Sequence, residues 1–124
     1  MRTYMTLGIV VLLAVVGSGT AEAARLYTAP ITPQTDEGIR CIILNVGKKA
    51  RRMAATVIDP FGVAPQPNFL TVQPGAVIAS TTSVGAQING YCQFTFEGSK
   101  RDVRAAGCAA DGLLRCTTAM VEAR

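Results

Sequence analysis

The sequence predicts an all-β fold: a small antiparallel immunoglobulin-like β-sandwich of seven or eight short strands, preceded by a signal peptide. Three observations carry this. Turn signals recur roughly every 8–12 residues between β-branched or aromatic runs, the spacing of a sandwich or barrel. Residues 91–97 (YCQFTFE) alternate strictly between apolar and polar, as a half-buried strand does. Beyond residue 23 no window keeps a 3.6-residue apolar period with caps. A small β-barrel is the alternative. The sandwich is preferred because the runs are short for a barrel that encloses a ligand.

The chain opens with an export signal over residues 1–23. Arg2 supplies a positive start, residues 7–16 (LGIVVLLAVV) are apolar, and Gly17-Ser18-Gly19-Thr20 breaks the helix. Ala21-Glu22-Ala23 then places small residues where signal peptidase reads them. Cleavage is expected after Ala23, with Ala21 as second choice. The competing reading is an uncleaved anchor, since no charge falls between Thr3 and Ala21. Against it, the apolar run is short for a span and has no basic stop-transfer flank. The first cysteine is Cys41, too distant for lipid attachment beside the apolar run. Residues 24–124 are then a single domain of about 100 residues, enough for one modest core. No membrane span is expected after cleavage, and the protein is expected to be secreted or periplasmic.

Each strand has its own justification. Residues 27–29 read as a first edge strand, stopped by Pro30 and Pro33, and 30–38 as a polar loop. Residues 39–46 (IRCIILNV) are almost continuously apolar, as in a strand buried on both faces or central in a sheet. Gly47-Lys48-Lys49 turns the chain, and 52–59 is expected to return as the antiparallel partner. Asp59-Pro60-Phe61-Gly62 has a type I turn pattern, with Phe61 as an exposed anchor candidate. Residues 69–73 and 76–83 read as strands around Pro74-Gly75, a type II turn needing positive φ at the glycine. Asn89-Gly90 is expected to form a type I′ hairpin turn. The run 91–97 puts Cys92, Phe94 and Phe96 on the core face. Residues 98–102 form a polar turn, 103–108 a strand, Asp111-Gly112 a turn, and 114–122 the closing strand.

Cys41, Cys92, Cys108 and Cys116 all follow the signal. An even count in a small exported domain implies two disulfides, with three pairings open. Cys41–Cys92 with Cys108–Cys116 is favoured, because the second pair closes a short loop around Asp111-Gly112. A two-residue turn there would set Cys108 opposite Arg115, so this pairing asks for a loop with an odd number of residues. A zinc site is disfavoured because no C-x-x-C pair occurs.

Histidine is absent. That removes His-activated nucleophiles, His zinc sites and blue copper. Ser99-Lys100 are adjacent turn residues without a Ser-x-x-Lys pattern. The acids Asp36, Glu37, Asp59, Glu97, Asp102, Asp111 and Glu122 lie largely in turns or on polar faces. With no Trp to form a sugar platform, a carboxylate glycosidase is poorly supported. No cofactor or metal is expected. The net charge of +4 favours acidic surfaces without specifying one. Nucleic acid is not expected, for want of a dense basic stripe with interleaved aromatics.

Two basic clusters remain: Lys48, Lys49, Arg51 and Arg52 in one turn and its exit, and Lys100, Arg101 and Arg104 in another. Solvated turn tips that guard an edge account for them without any ligand. As contacts, they suit an acidic envelope polymer or protein partner. The leading expectation is a non-enzymatic exported domain acting through binding or structural association. The alternative is a carbohydrate- or polyanion-binding module using the basic turns. The least favoured is an atypical hydrolase.

Overall fold

The computed structural model describes residues 23–58, 67–82 and 89–124. Residues 1–22 of the expected signal, the Asp59-Pro60-Phe61-Gly62 turn and residues 83–88 lie outside the described residues. The rest is all-β, as expected: two antiparallel sheets of four strands each. In chain order the strands are β1 Ala24–Tyr27, β2 Gly38–Asn45, β3 Arg51–Ile58, β4 Leu70–Val72, β5 Val77–Thr81, β6 Tyr91–Phe96, β7 Val103–Ala110 and β8 Val121–Glu122. A 3-10 turn, Lys100–Asp102, precedes β7. One sheet has the order β1-β6-β3-β4, the other β5-β2-β7-β8.

Sequence alternation sets which face looks inward. Ile39, Cys41 and Ile43 of β2 meet Met53 of β3 and Phe94 and Phe96 of β6, all at most 1% exposed. The Cys41–Cys92 disulfide crosses this core from one sheet to the other. Gly107 of β7 lies against it: a Cβ there would come within 2.5 Å of Cys92 Sγ. On one side the sheets are stitched together. The Tyr27 N–H donates to the Arg124 carbonyl at 3.0 Å, and the Arg124 N–H to the Tyr27 carbonyl at 2.9 Å.

Several expectations are corrected. β2 and β3, which fall in the runs expected at 39–46 and 52–59, are not paired with each other. β2 pairs with β5 and β7, and β3 with β4 and β6. The intervening turn is a crossover between sheets, pinned by the fully buried Asn45. Its amide donates to the carbonyls of Lys49 and Val72, each at 2.8 Å, and its Oδ1 accepts from the Gly47 N–H at 3.0 Å. Pro74-Gly75 also crosses between sheets, with Gly75 at φ +79° as its turn type requires. β2 is central in its sheet, but its second face is only half-buried. Among the described residues the fold has two layers, and no third one lies over it.

Asn89-Gly90 does not make a type I′ hairpin. Gly90 is not at positive φ, and β5 and β6 belong to different sheets. Gly90 instead bridges Ile31, and a Cβ on it would fall 2.6 Å from the Ile58 carbonyl oxygen. Close backbone approach, not turn conformation, calls for glycine here. The first strand starts at Ala24, earlier than expected, because β6 offers partners from Phe96 to Gln93.

The last expected strand, 114–122, shrinks to Val121–Glu122 and one bridge, Ala110 to Cys116. From Ala110 to Ala106 is four steps, whereas from their partners Cys116 to Glu122 is six. Two residues therefore bulge out of the pairing. Both expected disulfides are formed, Cys41–Cys92 and Cys108–Cys116, each with Cα atoms 5.6 Å apart. Cys116 stands opposite Ala110, so its bridge to Cys108 runs diagonally. Two disulfides mark an oxidising, non-cytoplasmic environment. Among the described residues no helix is long and apolar enough to cross a membrane.

Candidate binding surface

The two basic turns, some fifty residues apart in sequence, meet at one end of the sandwich. The register brings this about, since Asn45 at the end of β2 pairs with Val103 at the start of β7. The Val46 N–H donates to the Asp102 carbonyl at 2.9 Å. Gly47 fits because a side chain there would press on Asp102, 3.0 Å from its Cβ. Arg51 then locks the two turns with an ion pair to Asp102 at 2.7 Å. Its guanidinium also lies over Gly98, which is at φ +102° and would bring a Cβ within 1.9 Å of Arg51 Nη1. The positive φ is what calls for glycine at 98, since the Arg51 side chain could shift to make room.

Ser99 caps the 3-10 turn by accepting from the Arg101 N–H at 3.3 Å. Here the Ser99 hydroxyl serves backbone geometry. Asp102 is spent on Arg51 and on the turn. The guanidinium of Arg52 sits 5.2 Å from the centre of the Phe69 ring, a cation–π contact. Arg104 donates from Nη1 to the Val103 carbonyl at 2.9 Å.

The candidate cations therefore divide. Arg51 is half-buried and structural. Lys48, Lys49, Arg52, Lys100, Arg101 and Arg104 are exposed, and among the described residues no carboxylate pairs with them. Six cations face solvent around one end, with exposed Glu97 as the nearby opposing charge.

A second feature escaped the sequence reading. The outer face of the β5-β2-β7-β8 sheet is apolar. Register aligns Leu44 with Val77 and Arg104 in one row, and Ile42 with Ala106, itself beside Glu122, in the next. A groove of about 990 Å³ runs over these rows to Met120 and Arg124 and reaches inward past β8 to the core residues Leu26, Val103, Ala105 and Ala123. Val77 and Met120 are 56% and 52% exposed. The signal was present in the run 39–46, apolar on both faces, while among the described residues no α-helix covers the second one.

At the opposite end, Asp111 organises the loop closed by Cys108–Cys116. Its Oδ1 accepts from the N–H groups of Leu113 at 2.9 Å and Arg115 at 3.0 Å. The backbone bond from Arg115 leads in holding the Asp111 carboxyl below its ordinary pKa; desolvation, the next largest cause, opposes this, and the Leu113 bond and the Arg115 charge assist it. Comparison with protein-family models, with curated proteins and with solved structures gives no match.

Proposed function

We propose that this chain is an exported, non-enzymatic, immunoglobulin-like domain that works by binding, and that its cationic end holds an acidic polymer of the cell envelope. One observation carries the reading: Arg51–Asp102 and the β2–β7 register bring the exposed Lys48, Lys49, Lys100 and Arg101 of two distant turns to one end of the sandwich, with Arg52 and Arg104 flanking them on the outer faces of opposite sheets. Cations clustered on a rigid scaffold raise local potential more than the same charges spread out. Export is supported by the signal-like residues 1–23 together with two disulfides. The immunoglobulin-like reading is supported by the inter-sheet bridge from β2 to β6 and by the β2–β5 and β3–β6 pairings. The chain departs from that pattern at its margins, where β1 lies beside β6 and β7 beside β2.

Heparin chromatography tests the reading. The protein should be retained at low salt and released as salt rises, since polyanion binding is driven largely by counterion release. Lys48→Glu with Lys49→Glu should elute at clearly lower salt, whereas Arg115→Gln at the far end should not shift. Equal elution of all three proteins would refute the cationic end as the binding surface.

A further inference from the structure

The groove on the outer face of the β5-β2-β7-β8 sheet shares Lys100 and Arg104 with the cationic end but not Lys48 and Lys49, and its apolar floor gives it its own chemistry. We propose that it binds a monomeric anionic amphiphile, an acyl chain with a negatively charged head group. The groove holds about 990 Å³, at the upper end of the range for small-molecule sites. Its floor is aliphatic, with half-buried Ile42, Leu44 and Ala106 flanked by exposed Val77 and Met120. Apolar surface of this kind is rarely left to water without a binding role.

The charges are distributed unevenly along it. Lys100 and Arg104 line one end. Continuing the β7–β8 register beyond Ala106–Glu122 sets Arg124 beside Arg104, consistent with the Ala123 N–H donating to the Ala105 carbonyl at 2.9 Å. Among the described residues none of these three cations has a carboxylate partner. The acid in the lining, Glu122, stands one row further along, beside Ala106 in the row of Ile42. A ligand's anion is drawn to the Lys100–Arg104–Arg124 end and repelled from the interior. Its chain is left to lie over Ile42, Ala106 and Met120.

The same distribution disfavours a second copy of the chain. A two-fold interface sets a patch against itself, and like charges brought face to face across an interface are costly. A single-chain anion satisfies both the aliphatic floor and the cations.

The test uses the purified protein and dansyl-undecanoic acid kept below its critical micelle concentration. The expected result is saturable binding with an enhanced, blue-shifted dansyl signal. Ala106→Phe fills the groove from an outward-facing position and should weaken binding by about tenfold or more, roughly the loss of two buried methylenes. Val77→Asp, on the exposed edge strand, should act in the same direction. Arg104→Gln should weaken binding of the acid while leaving the matching dansyl alcohol unaffected. Circular dichroism establishes that each variant is folded.

Heparin retention separates the two sites. Ala106→Phe should elute as the parent does, and the Lys48→Glu, Lys49→Glu protein should still bind the probe. The proposal is overturned by non-saturable binding or by equal affinity for acid and alcohol. Unchanged affinity in Ala106→Phe also overturns it. So does association only with phosphatidylglycerol vesicles, which assigns the face to a membrane. A concentration-dependent dimer lost in Ala106→Phe, without probe binding, assigns it to a second copy.

Discussion

The two disulfides have the same Cα separation, 5.6 Å, and opposite surroundings. Cys41–Cys92 joins the two sheets across 51 residues, with both cysteines fully buried. Cys108–Cys116 spans eight residues and runs from buried Cys108 to exposed Cys116. The first bridge is packed into the core, with Gly107 cut back to make room for it. The second closes a loop that other bonds already hold. Asp111 ties two backbone N–H groups, the Arg40 guanidinium donates to the Leu114 carbonyl, and the Thr117 N–H donates to the Ala109 carbonyl at 2.9 Å. A cross-link contributes most where it restricts a long segment and where its removal leaves a defect nothing else repairs.

The largest effect is therefore expected from Cys92→Ala. In the chain-entropy model a loop of this length contributes about 4 kcal/mol. The mutation also leaves the Cys41 thiol in the core without its bonded partner, and a small cavity where the second sulfur was. Total stability of a small domain is only about 5–15 kcal/mol. Urea unfolding followed by far-ultraviolet circular dichroism should show the midpoint falling sharply, or the cooperative transition lost.

Cys116→Ala should cost less. The chain-entropy value for its short loop is about 2.6 kcal/mol, and the Asp111, Arg40 and Thr117 bonds already restrict the same residues. Its transition should stay cooperative, with a midpoint between those of the parent and Cys92→Ala. If Cys116→Ala proves as damaging as Cys92→Ala, the contrast between the two regions is wrong.

The sequence was legible where a signal was local and failed where it depended on which layer a strand joined. Residues 91–97 alternate, and Cys92, Phe94 and Phe96 are buried as that pattern requires. The cysteine pairing followed from the short loop between Cys108 and Cys116, with Cys92 already placed on a core face. The turn at Gly47-Lys48-Lys49 was also visible, but a turn between two β runs does not say whether it closes a hairpin or crosses between sheets. The deciding group is Asn45, whose side chain bonds to Lys49, Val72 and Gly47. Gly47 and Lys49 are local, but Val72, 27 residues away, becomes a neighbour only in the folded chain. The same limit explains Gly90, required by the Ile58 carbonyl of another strand rather than by a turn. Of the binding surface, the cations were readable one by one. Their convergence was not, because it needs the Asn45–Val103 register.

The smallest effect sharpens the comparison at the exposed loop itself. Asp111 accepts the Leu113 and Arg115 N–H groups and pairs with the Arg115 guanidinium at 3.2 Å. These bonds, the Arg115 backbone bond foremost, favour the charged carboxylate and hold its pKa below the ordinary value. A depressed folded-state pKa stabilises the fold above the unfolded carboxyl's pKa and loses that contribution as pH falls through the folded value. The pair is open to solvent, so salt screens its Coulomb part and the effect on global stability is slight. The local readout is sharper. In an acid titration by NMR, the Leu113 and Arg115 amide proton shifts should move together, with a midpoint below that of an ordinary aspartate. Asp111→Asn keeps an acceptor oxygen and should abolish that titration while leaving Cys108–Cys116 intact. Amide shifts that titrate at the ordinary aspartate value, or that still titrate in Asp111→Asn, would show that the disulfide alone shapes the loop.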